Sequence, residues 1–254
     1  WDEIVDVVVI GFGGAGSTAA ITAHDRGAQT LILEKMDEGG GNTAVSGGGV
    51  ISPVNIEDAM KYVKALNLGS TDDDVLRTLV EGSAHNLQWL QSLGADMETH
   101  AGAVFKEMPG AWAMTRCRVR GHGRPSENLW RLLSENVHKR EIRVMRKTRA
   151  TELITSSGEL VGVIASKDGI EVRIKARGGV ILCSGGFEFD ESMKKSYLRY
   201  YPFYAVGSPG NTGDGVKMSQ KVGAGLWHMA GVSAPLGYKF PEESIAFPSS
   251  LVSW

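Results

Sequence analysis

The chain has 254 residues, 42% hydrophobic and 22% charged, which is ordinary for a globular protein with a sizeable buried core. A formal charge of −2 gives no global attraction to nucleic acid or to an anionic membrane surface. No run of about 18 apolar residues is present, so no membrane span is expected, and the two cysteines, Cys117 and Cys183, lack CxxC or zinc-ligand spacing, so no metal site is expected.

Ile4 to Ile10 (IVDVVVI) is the β-branched run of a strand buried on both faces. A glycine turn follows, then a helix over Ala15–Arg26 with small residues where it would press on a sheet. Gly27 stops it, and Gln29–Leu33 is a second buried strand. Strand, glycine turn, helix, strand is a right-handed βαβ unit. Residues 37–53 are expected to be a glycine-rich loop. Ile56–Leu66 and Asp73–Leu93 are predicted as amphipathic helices, the second opening at a Ser-Thr-Asp cap and stopping at Gly94. Residues 95–124 show no periodicity, and Pro125 opens a helix to about His138.

From Ile142 to Leu182 the texture changes to short β-branched runs, with turns at Ser156-Ser157-Gly158 and Lys167-Asp168-Gly169. Asp-Gly between such runs is a hairpin signal, so a β-meander is expected beside the parallel sheet. It ends in an apolar strand, Gly179–Cys183, which would bury Cys183 in the core. Last, a loop over Gly207–Gly215 opens a helix to about Val222. The predicted fold class is α/β: a Rossmann-type parallel sheet with flanking helices and an attached β-meander. The chain opens on Trp1 rather than methionine and stops on Val252-Ser253-Trp254, so it is read as a fragment. A cytoplasmic location is expected, with export left open by the trimmed start.

Glycine is the unusual component: 33 residues, nearly twice the average usage of about 7%, and clustered rather than periodic. Such clusters mark backbone that bends sharply or approaches something closely. The first is Gly11-Phe12-Gly13-Gly14-Ala15-Gly16, between a predicted strand and a predicted helix, the context that gives GxGxxG its meaning. Gly11 permits the tight turn, Gly13 lets backbone approach a pyrophosphate, and Gly16 lets helix and sheet pack closely. The helix N-terminus, at Gly14 and Ala15, offers free N–H groups and a positive dipole to the phosphates. Glu34 closes the second strand, where a carboxylate accepts hydrogen bonds from a ribose diol, which disfavours NADP but does not separate NAD from FAD.

The remaining clusters make that separation. In order they are Glu34-Lys35; Gly40-Gly41-Asn42-Thr43 with Ser46-Gly47-Gly48; Trp89-Leu90 with Leu93-Gly94; Ile181-Leu182-Cys183-Ser184-Gly185-Gly186-Phe187; and Asn211-Thr212-Gly213-Asp214-Gly215. With them the chain resembles the FAD-binding domain of the fumarate reductase/succinate dehydrogenase flavoprotein superfamily, nearer its soluble reductases and ketosteroid dehydrogenases. The resemblance implies that residues 1–232 form an FAD-binding domain, incomplete at its C-terminus, with 233–254 beginning a capping or substrate segment. It also implies that the loop carrying Gly41, Asn42, Thr43, Ser46, Gly47 and Gly48 runs along the pyrophosphate and flavin ring. Lys35 would stand beside Glu34 at the cofactor, and Ala150 would offer backbone groups to the adenine. Ser184, Gly185 and Gly186 would lie near the ribityl and pyrophosphate, and Asp214 would hydrogen-bond the cofactor or cap the last helix.

Two departures from the family pattern carry further expectations. Some membrane-bound relatives attach FAD through a histidine at the position of Asn42, so the FAD here should be non-covalent. Fumarate reductases place a substrate-binding histidine where this chain reads Ser233-Ala234-Pro235-Leu236-Gly237, which counts against fumarate or succinate. The implied activity is hydride transfer between FAD and a C–C or C=C bond beside a carbonyl or carboxylate, as in a ketosteroid or unsaturated acid. The partners would be that small-molecule substrate and an electron donor or acceptor of unassigned identity, and the proton-transferring residues would lie beyond Trp254. A non-catalytic FAD-binding module or an excised domain is the alternative, and an NAD-dependent dehydrogenase would leave three glycine clusters without a role. Among the histidines, His24, His85 and His138 are read as helix-surface or partly packed residues. His122, within Arg120–Arg124, is either a basic surface loop residue or one facing an anionic substrate.

Overall fold

The computed structural model of the protein describes residues 1–232, 237–243 and 247–248. In chain order the elements are β1 (Glu3–Ile10), α1 (Gly14–Asp25), β2 (Thr30–Leu33), α2 (Gly41–Val45), β3 (Val50–Pro53), α3 (Ile56–Asn67), α4 (Asp73–Ala84), α5 (Asn86–Ser92), β4 (Met97–Ala101), β5 (Met114–Val119) and α6 (Pro125–Lys139). There follow β6 (Arg143–Met145), β7 (Thr148–Ser156), β8 (Glu159–Lys167), β9 (Ile170–Leu182), α7 (Glu191–Tyr197), α8 (Asp214–Lys221) and two short strands, β10 (Gly237–Tyr238) and β11 (Phe247–Pro248). The chain divides into two compact units, Trp1–Val45 with Ser134–Trp254, and Ser46–Leu133. This division is finer than the single domain expected over 1–232, and most of 233–254 lies outside the described residues.

The first unit is built on a six-stranded sheet of order β6-β2-β1-β9-β8-β7. β1 pairs in parallel with β2 and β9, and β2 in parallel with β6. Because these strands are covered on both faces, their residues are apolar without alternation: Val8, Val9, Leu31 and Ile32 are fully buried. β9 joins the two halves of the sheet. Its residues Ile170–Lys175 pair antiparallel with β8, while Ile174–Leu182 pair in parallel with β1. The predicted strand Gly179–Cys183 is therefore the end of a 13-residue strand. The β7–β8 and β8–β9 hairpins turn at Ser157-Gly158 and Asp168-Gly169, each with two successive positive φ angles, the geometry that the Asp-Gly pair predicts. The meander and the parallel strands share one core, in which Val5, Val8 and Leu31 pack with Leu153, Val163 and Ile174.

The second unit packs α3, α4 and α5 with an antiparallel sheet of order β3-β5-β4. Its core centres on Ala59, Met60, Tyr62, Leu76, Val80 and Met114, and the Tyr62 hydroxyl accepts the Val104 and Phe105 N–H groups at 3.1 and 3.3 Å. Three sequence expectations are corrected here. The predicted loop 37–53 contains α2 and β3, and the region 95–124 contains β4 and β5. β5 escapes a periodicity reading because Arg116 and Arg118 interrupt its apolar residues, and pairing with both neighbours decides its conformation. The predicted helix Asp73–Leu93 is two helices broken at His85. Gly82 is a weak helix former, and the Ser83 hydroxyl bonds back to the Leu79 carbonyl at 2.6 Å, so the turn before His85 is poorly held.

Candidate functional site

The site is built where three parallel strands end. β1 runs into Gly11, which has φ +107°, and any Cβ there would collide with the Cys183 carbonyl at the end of β9. α1 begins three residues later. Its N-cap, Gly13, provides no side-chain cap, and no acidic residue lies in its first turn, so its N-terminal dipole is left unneutralised by the helix itself. Gly16 faces inward, and a Cβ there would overlap the Gly11 carbonyl oxygen. Gly13 differs. Its φ of −106° and ψ of −162° suit any residue, and a Cβ would meet nothing nearer than the Gly40 carbonyl at 3.4 Å. The fold therefore does not require glycine at 13.

Glu34 follows β2 and is 8% exposed. Its two carboxylate oxygens accept the Phe12 N–H and the Met36 N–H, each at 2.8 Å. A carboxylate has about four acceptor positions, so both oxygens keep capacity for a ligand hydroxyl. α2 closes one side: Thr43 Oγ1 accepts the Gly14 N–H at 3.0 Å.

These groups border one cavity of about 510 Å³, within the range of small-molecule and cofactor sites. Of the sequence-predicted residues, Gly11, Gly13, Gly14, Ala15, Glu34, Lys35, Gly41, Asn42, Thr43, Ala150, Ser184, Gly185 and Asp214 line it. Gly16 and Gly186 do not, and Ser46, Gly47 and Gly48 belong to the other unit. Within that unit Ser46 Oγ accepts the Gly48 N–H at 3.0 Å, and a Cβ on Gly48 would collide with the backbone of Pro125 and Ser126.

The same cavity carries an ion-pair cluster. Asp214 Oδ2 accepts from Lys35 Nζ at 2.9 Å and Arg149 Nε at 3.0 Å, and Oδ1 accepts from Arg149 Nη2 at 2.7 Å and Thr212 Oγ1 at 3.1 Å. Burial pushes the Asp214 carboxyl up, but hydrogen bonds and charge from Arg149 and Lys35 outweigh it and hold the group below the usual carboxylate range. Its four acceptor positions are occupied, so a cofactor hydroxyl could be accepted only by displacing one of these donors. Asp214 stands in the first turn of α8, where Gly213 is the N-cap.

Cys183 is corrected from core to cavity wall: it is half-buried and lines the cavity, and burial pushes its thiol up. Sequence reasoning did not identify Arg149, Thr148 or Glu188. Arg149 and Thr148 sit in a strand pattern without a motif, while Glu188 stands two residues beyond the Gly185-Gly186 pair and offered no signal of its own. His138 packs edge-on against Phe12 with ring centroids 6.2 Å apart, whereas His122 is exposed. Among the described residues, no group of three His, Cys, Asp or Glu side chains could hold a metal, and no helix is long and apolar enough to cross a membrane.

A family model described as FAD binding domain matches residues 6–232 of the chain. The chain is 32% identical over 244 residues to urocanate reductase from Eggerthella lenta, which spans 89% of this chain and 39% of that protein. It is 31% identical over 245 residues to NADH:fumarate oxidoreductase from Klebsiella pneumoniae, spanning 88% of this chain and 25% of that protein. Among solved structures, 3-ketosteroid-Δ4-(5α)-dehydrogenase from Rhodococcus jostii RHA1 in complex with 4-androstene-3,17-dione superposes with a TM-score of 0.82 at 26% identity, covering 90% of this chain and 56% of that one. The chain thus spans between a quarter and two fifths of the length of these two curated relatives.

Proposed function

The chain belongs to the FAD binding domain family, and from that premise we propose that it is the flavin-holding portion of an oxidoreductase acting on CH–CH groups. The substrate is a compound whose C–C or C=C bond adjoins a carbonyl or carboxylate. Fumarate, urocanate and ketosteroids, the compounds named for the relatives, share that feature. Bound FAD supplies the site that gives or takes hydride at one carbon.

The residues of this chain bind and orient. The N–H groups at the start of α1 and the bare backbone of Gly13 take the pyrophosphate, and Glu34 takes the ribose diol through its remaining acceptor positions. The observation that carries this reading is Gly13, a glycine that neither the backbone angles nor the packing of the protein requires. Asn42 has an amide, which forms no covalent bond to flavin and is held by Ser208 and Glu188, so the cofactor is retained by non-covalent contacts alone.

The visible spectrum of the purified chain, or of the chain after FAD is added and excess removed, tests the reading. Flavin bands that pass into the supernatant on acid precipitation support non-covalent FAD. Flavin held in the pellet would overturn the assignment to Asn42, and failure to take up FAD at all would overturn the function.

A further inference from the structure

Asn42 and Asn211 both line the cavity, and they are tied together by Glu188, which does not. Glu188 Oε1 accepts from Asn42 Nδ2 at 2.8 Å and from Asn211 Nδ2 at 2.6 Å. The Glu188 side chain can fold back to reach them because Gly186 has no Cβ to meet its other oxygen. An ionised carboxylate only accepts hydrogen bonds, so each amide must turn its NH2 group toward Glu188 and its carbonyl oxygen away.

The two oxygens turned away have different fates. Asn42 Oδ1 accepts the Ser208 N–H at 2.7 Å. Asn211, only 6% exposed, directs Oδ1 alongside Gly185, and no described residue donates to it. The Asn211 backbone is fixed as well: its carbonyl accepts the Phe189 N–H at 3.0 Å, and the neighbouring Gly213 N–H reaches the Gly186 carbonyl at 3.0 Å. The cavity wall therefore carries, on a largely buried side chain, an acceptor that cannot turn over and has no donor among the described residues. An amide oxygen fixed in that orientation on a cavity wall gains from a ligand that brings an O–H or N–H to it, and repels a phosphate or carboxylate oxygen.

We propose that Glu188 is a positioning residue. By claiming both NH2 groups it obliges Asn211 to present its carbonyl oxygen to the cavity, as acceptor for a hydroxyl or N–H of the bound flavin nucleotide. The inference rests on the flavin reading above and adds to it a division of labour: the α1 N-terminus receives the anionic part of the nucleotide, and Asn211 receives a donor part.

The test is FAD affinity of the full chain, measured by flavin fluorescence on titration, in a double-mutant cycle. Glu188→Gln has the same shape but offers an NH2 group of its own, which frees Asn211 to turn over. It should weaken FAD binding about tenfold while the melting temperature without FAD stays within about 3 °C of wild type. Asn211→Ala should weaken binding by a similar factor, and the double variant should lose no more than the weaker-binding single variant. Wild-type affinity in Glu188→Gln, or losses that multiply in the double variant, would overturn the proposal. Should Glu188→Gln lose its cooperative melt, Asn211→Ala decides alone: a tenfold loss supports the fixed acceptor, and unchanged affinity overturns it. A wild-type chain that takes up no FAD would overturn the flavin reading itself, an outcome distinct from wild-type uptake with unaffected variants.

Discussion

Replacing Gly16 by alanine should unsettle the fold, whereas replacing Gly13 by alanine should leave the fold intact and weaken FAD binding. At Gly16 the new methyl would overlap the Gly11 carbonyl oxygen, which belongs to backbone pinned by the 2.8 Å bond from the Gly11 N–H to the Leu33 carbonyl. Relief requires α1 to lift off the sheet, an overpacking of the kind that costs about 1–3 kcal/mol, offset by the roughly 1 kcal/mol that alanine gains over glycine in a helix. A net loss of up to about 2 kcal/mol lowers the melting temperature of a chain this size by up to roughly 8 °C. At Gly13 the extended backbone accepts a side chain, and the nearest atom stands at an ordinary 3.4 Å. Alanine there should be neutral or stabilising by about 0.4–1 kcal/mol through the unfolded state. The same methyl would occupy the space through which the pyrophosphate approaches, and an overlap of about 1–3 kcal/mol raises the Kd for FAD roughly 5- to 150-fold. Thermal melts without FAD and fluorescence titrations with it separate the two effects. If Gly13→Ala melts as early as Gly16→Ala, or binds FAD like wild type, the reason given for Gly13 is wrong.

Glu34→Gln should lower both stability and FAD affinity. An amide cannot accept at both positions, so the Phe12 or the Met36 N–H is left facing a donor at a cost of about 1–3 kcal/mol, and an unchanged melt would refute that account. Asp214 should contribute pH-dependent stability. Its folded-state carboxyl lies below the ordinary value, so the contribution is present above about pH 4 and is lost as the pH falls through the folded-state pKa. Asp214→Asn should thus be less stable than wild type at pH 7, with a deficit that narrows as melts are taken down to about pH 3; parallel curves would contradict it. The Cys183 thiol, held protonated by burial on the cavity wall, should react slowly with a thiol reagent at neutral pH and more slowly still with FAD present. Equal rates with and without FAD would place the ligand elsewhere, and Cys117, fully buried, should react only on unfolding.

Elements whose residues satisfy one periodicity were legible in the sequence. β1 and β2 are dominated by β-branched and apolar residues, α3 carries its apolar stripe, and the two hairpins have the turn residues their positive φ angles demand. Elements stabilised by partners distant in sequence were not. β3 and β5 gain their ladder bonds from each other across more than 60 residues. The same division runs through the site. Gly11, Gly13 and Glu34 follow from a local motif, whereas the Asp214–Arg149 pair joins residues 65 apart, and Glu188 reaches Asn42 across 146.

The strand order explains why residues so far apart in sequence meet at one cavity. β2, β1 and β9 are adjacent and parallel, so the residues that follow them, Glu34, Gly11 and Cys183-Ser184, emerge side by side at the carboxyl ends of the strands, where ligands of open α/β sheets bind. β6 is parallel to β2 and ends at the same edge, and the tight turn after it returns the chain at once: the Lys147 N–H reaches the Met36 carbonyl at 3.1 Å and the Thr148 N–H the Glu34 carbonyl at 2.8 Å. That turn brings Thr148, Arg149 and Ala150 to the cavity, although the strand they begin belongs to the meander. Arg149 then holds Asp214 at the start of α8, whose first residues line the cavity. The meander therefore does more than extend the sheet: its first residues supply one of the two cations that hold α8 to the site, and shortening the β6–β7 turn should loosen α8 and the cavity together.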